Sequence, residues 1–130
     1  MDGTERRTSM ITTFTLVKMQ PGFERDEFFD RWCEHTRVMD LRDHPEISLN
    51  RLMLFEEGSE FVGMAENHWP DRKALDDAIL WYESPAGQAH WADLVSFMDA
   101  ANSPTTVVSH EAEVSLEKGI DLRMRPVGTE

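Results

Sequence analysis

In the segment FFDRWCEHTRVM, residues 28 to 39, Phe28, Trp32, His35 and Met39 fall at i, i+4, i+7 and i+11. On a helix that spacing makes a single stripe, apolar except for one imidazole. A helix that only packs is better served by leucine at such a position, because a buried imidazole must find hydrogen-bond partners or cost stability. A neutral imidazole in an apolar wall can instead take a proton from a phenol or an activated carbon and return it elsewhere near neutral pH. His35 is therefore the leading candidate for a general base, set against the plainer role of a hydrogen-bonded core histidine. Trp32, one turn earlier, and Met39, one turn later, are candidate walls for a planar substrate.

A second cluster is ENHWP, residues 66 to 70. On a strand, Glu66 and His68 point to one face and Asn67 and Trp69 to the other. A carboxylate beside an imidazole can orient it and raise its basicity, or the pair can sit at a strand end in water. Arg51 stands in an apolar strand run with Leu49 and Met53 on its face. It could hold a carboxylate or phenolate or form a rim salt bridge. His110 shares its strand face with Val108, Ala112 and Val114, as a pocket or a core residue. Tyr82 and Trp91 complete the candidate binding set with Trp32, Met39, Glu66, Trp69 and His110, since aromatic side chains stack on planar ligands as well as fill cores. His44, just before Pro45, is expected in an exposed loop, and His90, next to Trp91, on the surface, with a place in a cleft wall as the alternative. No two histidines stand at i, i+4 on one helix and no His-Glu-x-x-His run occurs, so neither a metal nor another cofactor is expected. Cys33 is expected to be a small packing residue.

The elements that must position these groups follow from composition and punctuation. MITTFTLVKM, residues 10 to 19, suits a strand stopped by QPG. A helix is predicted from about residue 24 to residue 42, ending before Pro45. Two strand-like runs within residues 47 to 69 flank a turn around Gly58. DRKALDDAILWYE is an amphipathic helix with Ala74, Leu75, Ala78, Ile79 and Tyr82 on one side. SPAGQAHWADLVSFMDAA opens with an N-cap serine and a first-turn proline, with Trp91, Leu94, Val95 and Met98 facing inward. A last β run covers residues 104 to 116. The chain thus reads as a flexible leader (1–9), one domain (10–116) and a charged tail (117–130).

The order strand, helix, strand, strand, helical segment, strand is the split βαβ pattern. It predicts an α+β fold, a four-stranded antiparallel sheet with helices on one face. Ile11, Val17 and Met19 make one side of the first strand apolar, and Phe14 and Leu16 the other. Both sheet faces then need cover, and a homodimer is the simplest way to provide it.

At 130 residues the chain is one domain. Thirteen Lys and Arg against twenty-five Asp and Glu leave a formal charge of −12, which repels nucleic acid and anionic lipid. No apolar run approaches the length of a membrane span, the start does not resemble a signal peptide, and the single cysteine permits no intramolecular disulfide. A cytoplasmic protein is expected. Phosphate-cradling glycine loops, dinucleotide fingerprints and serine nucleophile elbows are all missing from the sequence.

FFDRWCEHTRVM, SPAGQAHWADLVSFMD and TTVVSHEAEV together resemble the dimeric α/β-barrel superfamily, most closely its EthD-type branch, over residues 10 to 116. The first matches that branch's aromatic-rich helix with a histidine near its end. The last is similar to its late strand carrying Glu-His, here reversed as His110-Glu111. The branch often pairs histidines in the first helix, whereas here Thr36 follows His35. The resemblance implies a ferredoxin-like monomer whose sheets close into a barrel on dimerisation, with ligands bound between helices and sheet where His35 points. It implies chemistry such as polyketide cyclisation, isomerisation or cofactor-free oxygenation, and haem binding in some branches. The expected enzyme uses acid-base chemistry on a planar phenolic or enolisable, polyketide-like or aromatic substrate, with His35 as base and Arg51 or His68 stabilising the oxyanion. A cofactor-free monooxygenase and a non-catalytic binder of small aromatics are the alternatives.

Overall fold

The computed structural model describes residues 10–108, 110–113 and 123–126. Strand β1 (Ile11–Val17) leads into helix α1 (Arg25–His35), where the Glu27 carboxylate accepts the Glu24 N–H to close the first turn. The helix continues through a π-helical turn, Thr36–Asp40, into a last short turn α2 (Leu41–Asp43). The Leu41 N–H bonds the Thr36 carbonyl five residues back. Strands β2 (Leu49–Leu54) and β3 (Gly63–Trp69) form the expected hairpin, with Gly58 at φ +95° in its connection. Helix α3 (Arg72–Trp81) is capped by Asp71, which accepts the Ala74 N–H, and α4 (Pro85–Val95) by Ser84, with Pro85 in the first turn. The two helices approach so closely that a Cβ on Gly87 would strike the Trp81 carbonyl oxygen.

Strand β4 (Thr105–Val107) completes a sheet ordered β2-β3-β1-β4, antiparallel throughout. Since β1 and β2 both run opposite to β3, which lies between them, β1-α1-β2 is the split βαβ unit read from the sequence. The final β run differs from expectation. It breaks after β4, and β5 (His110–Glu113) pairs instead with β6 (Arg123–Pro126), within the expected tail. Glu111 stands opposite Arg125 and Glu113 opposite Arg123 in that pairing. The leader, residues 1–9, lies outside the described residues.

Apolar side chains pack between helices and sheet in two clusters. Val17, Phe28, Trp32, Phe97 and Met98 form one, and Trp69, Leu75 and Ala78 the other. Strand alternation fixes the sheet's helix-facing side as Thr13 and Val17 of β1, Leu52 of β2, and Ala65, Asn67 and Trp69 of β3. Phe14, Leu16, Met53 and Met64 take the opposite parity and are half-buried. No helix among the described residues is long and apolar enough to cross a membrane.

Candidate functional site between helices and sheet

A cleft of about 590 Å³ runs between the two apolar clusters and draws walls from both, a volume in the ordinary range for small-molecule sites. Its sheet side is unexpectedly polar. Thr13, Thr15, Asn50 and Asn67 line it, and Asn50 lies directly opposite Asn67 in the β2–β3 register. Its helix side carries three histidines, all nearly inaccessible: His35 at 2%, His44 at 4% and His90 at 1% exposure.

His35 at the end of α1 and His90 on α4 meet edge to face. Their Nε2 atoms lie 3.1 Å apart. Each ring is held from behind by a carboxylate. His35 Nδ1–H donates to Asp93 Oδ2 at 2.6 Å, and His90 Nδ1–H to Asp43 Oδ2 at 2.8 Å. These bonds fix the tautomers, since an ionised carboxylate can only accept. Asp93 is in turn paired with Arg31, and Asp43 with Arg42. Burial pushes the Asp93 pKa up, but Arg31 and His35 outweigh it and hold the carboxyl below its usual range. Arg42, opposed by burial and aided by His90, holds Asp43 far below its usual range. A third carboxylate, Asp40, touches both imidazoles, with Oδ1 3.0 Å from His90 Nε2 and 3.7 Å from His35 Nε2. Burial lowers the His90 pKa, yet hydrogen bonds to Asp40 and Asp43 reverse the shift, and the net direction is up.

The π turn explains why Asp40 is there. In an unbroken α-helix five residues advance the chain so far that Asp40 would lie about 140° round the axis from His35. The wider i→i+5 turn brings it back over the same face. Met39 lines a shallow groove with His35, Val38 and Glu34 on the outer side of the helix and does not reach the cleft.

His44 is likewise not an exposed loop residue. Its Nε2 lies 2.8 Å from the Tyr82 hydroxyl and its ring packs against Trp69 and Trp81. Burial pushes its pKa down, and burial pushes that of Tyr82 well up, so a neutral phenol donates to a neutral imidazole. Trp32, Trp69, Tyr82 and Trp91 all line the cleft, Trp91 at the mouth with 42% exposure. In α4 the expected inward set is shifted: His90 is buried and Trp91 is not.

Arg51, Glu66 and His68 lie on the other side of the sheet. Glu66 bridges its neighbours there, 3.1 Å from Arg51 Nη1 and 2.6 Å from His68 Nε2. The sheet separates them from His35, so they do not join it around one ligand as the sequence suggested. Period-two alternation is the reason, as Asn67 and Trp69 fill the cleft-facing positions between them. His110 stands on β5 opposite Pro126, and its side chain lies outside those described. The residues not singled out from sequence as members of the site were Asp40, Asp43, His44, His90 and Asp93. One signal was present: His90 and Asp93, three apart, share a helix face.

The fold and cleft define a ferredoxin-like α+β protein with a ligand-sized cavity between helices and sheet. No protein-family model matches the chain, and no curated protein matches it in sequence. Solved structures do. SnoaB, a cofactor-independent oxygenase from Streptomyces nogalater, is 16% identical, with 83% of this chain and 97% of that one covered at a TM-score of 0.56. A dimeric protein of unknown function with a ferredoxin-like fold from Bacteroides fragilis is 10% identical, covering 75% and 93% at 0.53. A Dabb family protein with the same fold from Mesorhizobium loti is 9% identical, covering 76% and 94% at 0.53. At these identities the likeness is one of fold, and the fold is the ferredoxin-like one expected from the sequence.

Proposed function

We propose that the protein is a small-molecule enzyme that abstracts a proton from a planar phenolic or enolisable substrate held in the cleft. The observation that carries this is the His35–His90 pair. With both Nδ1–H groups committed to carboxylates, the two Nε2 atoms meet at 3.1 Å beside Asp40, which accepts from His90. A proton held there is shared between two acceptors, so the pair can take one from a substrate and return it. The aromatic walls suit a flat ligand, and the Asn50, Asn67 and Thr13 stripe opposite suits its oxygen substituents. Cyclisation, dehydration and isomerisation share this step. Oxygenation is the second reading, favoured by the fold shared with SnoaB; there the ionised substrate would react directly with dioxygen.

The test is solvent deuterium exchange at the acidic carbon of enolisable cyclic diketones and naphthol-type phenols, followed by NMR beside an oxygen electrode. Exchange catalysed by the wild-type protein and lost in His35→Ala is the expected result. Oxygen uptake with the same dependence selects the oxygenase. Tight binding with no exchange in any compound would leave a carrier of small aromatics and overturn the enzyme.

The outer sheet face supports a homodimer. Phe14, Leu16, Met53 and Met64 lie around the Arg51–Glu66–His68 group, and a second copy would cover them through a self-complementary contact. Dimerisation is described for the Bacteroides fragilis protein of this fold. Native mass spectrometry is expected to give twice 15.0 kDa, and Leu16→Glu, which would bury a charge in that contact, to give the single mass. A wild-type monomer would remove the dimer.

A further inference from the structure

The same geometry that shares a proton has the form of a metal site. We infer that His35 Nε2, His90 Nε2 and an Asp40 carboxylate oxygen bind one divalent first-row transition-metal ion at the cleft wall. It shares the cleft with the proton-transfer reading but does not depend on it.

The first argument is distance. The three atoms are separated by 3.0, 3.1 and 3.7 Å. An ion about 2.1 Å from each would see them at angles of roughly 90° to 125° from those separations, a spread that takes in the octahedral and tetrahedral values. All three ligands approach from one side, which leaves further positions for water or substrate. Two imidazoles and a carboxylate are a donor set suited to iron, zinc, cobalt or manganese.

The second argument is what holds the donors. Metal-bound histidines characteristically donate their other ring N–H to a carboxylate, which fixes the tautomer and strengthens the donor. Both histidines do so here, to Asp93 and Asp43, and a guanidinium locks each of those carboxylates in turn. Asp40 differs from them. Among the described residues it has no Lys or Arg partner, and its oxygen faces the two Nε2 atoms instead. Its charge is held against a single imidazole proton on His90 Nε2, the position a divalent cation would take.

The third observation is independent of the cluster. Thr36 Oγ1, on the same π turn, is buried with no hydrogen-bond partner among the described residues, and Thr36 lines the cleft. Buried hydroxyls are seldom left so. A water or substrate oxygen in the cleft would supply the partner. π turns inserted in α-helices recur at functional sites, and this one delivers both Asp40 and Thr36. The ion would replace the shared proton and raise the acidity of a bound hydroxyl by coordination.

The test uses the full chain after chelator treatment, titrated with Zn(II) by calorimetry and with Co(II) by visible absorption. Saturation at one ion per chain is expected. Asp40→Asn and His90→Gln should lose the cobalt absorption while keeping the wild-type far-ultraviolet dichroism. Asp93→Asn should weaken binding by about 10- to 100-fold, acting only through His35. Because a variant can fail to fold, histidine nitrogen NMR of the wild-type protein gives a second measurement: Zn(II) should move the Nε2 signals of two of the five histidines. Binding that is not saturable, that survives Asp40→Asn and His90→Gln, or that leaves the histidine signals unmoved would overturn the site and assign the ions to the acidic surface. Exchange activity without metal binding would leave proton transfer standing alone, and metal binding without exchange would do the reverse.

Discussion

His35→Ala and His90→Ala are each expected to slow substrate deuterium exchange by about 10²- to 10⁴-fold, the usual contribution of a positioned acid-base group. The double variant should be hardly slower than either single one. The two imidazoles meet Nε2 to Nε2 at 3.1 Å, so neither does its work without the other. Groups that act as a unit show this kind of non-additivity. It should hold whether a proton or a metal ion lies between the rings, and chelation separates those cases. Losses that multiply in the double variant would mean that the histidines act independently and would dissolve the pair as a functional unit. The comparison needs kcat/KM from all four proteins, with dichroism to show that each is folded.

Phe28→Ala carries the largest expected cost in stability, about 3–5 kcal/mol, against a total of about 5–15 kcal/mol for a typical domain. The ring is fully buried and meets Phe23, Trp32 and Phe97 at centroid distances of 6.4, 5.6 and 5.8 Å. Truncation leaves a cavity bounded by large rings on two elements, which can relax only in part. Urea unfolding should show a lower midpoint with an unchanged slope, and Phe28→Leu should keep more than half of the lost stability. The effect reaches the cleft as well. Phe97 packs on the His35 ring at 5.5 Å, so a cavity beneath Phe97 lets the imidazole drift from its partner. A loss under about 1 kcal/mol would show that the helices close over the gap, contrary to close packing.

Much of this was legible because it depends on near neighbours. Apolar alternation and turn residues give the strands, Asp71 and Ser84 start their helices, and parity alone puts Glu66 and His68 on one sheet face and Asn67 and Trp69 on the other. His35 stood out for the same local reason, as a polar group in an apolar stripe. The end of the last β run was not legible, since the choice between the main sheet and a hairpin with β6 is made by a partner strand further along the chain.

The sequence by itself determined the order of the elements, the split βαβ pattern, the two-faced sheet and one histidine of the site. Only the tertiary structure decided that this histidine has a partner. His90 lies 55 residues away and reads as a surface residue until α4 is laid against α1. Asp40 belongs on the wrong side of an ideal helix until one π turn rotates it into place. Helical periodicity is a rule about an unbroken helix, and pairing across the fold costs no local signature, so neither was written in any short stretch of the chain.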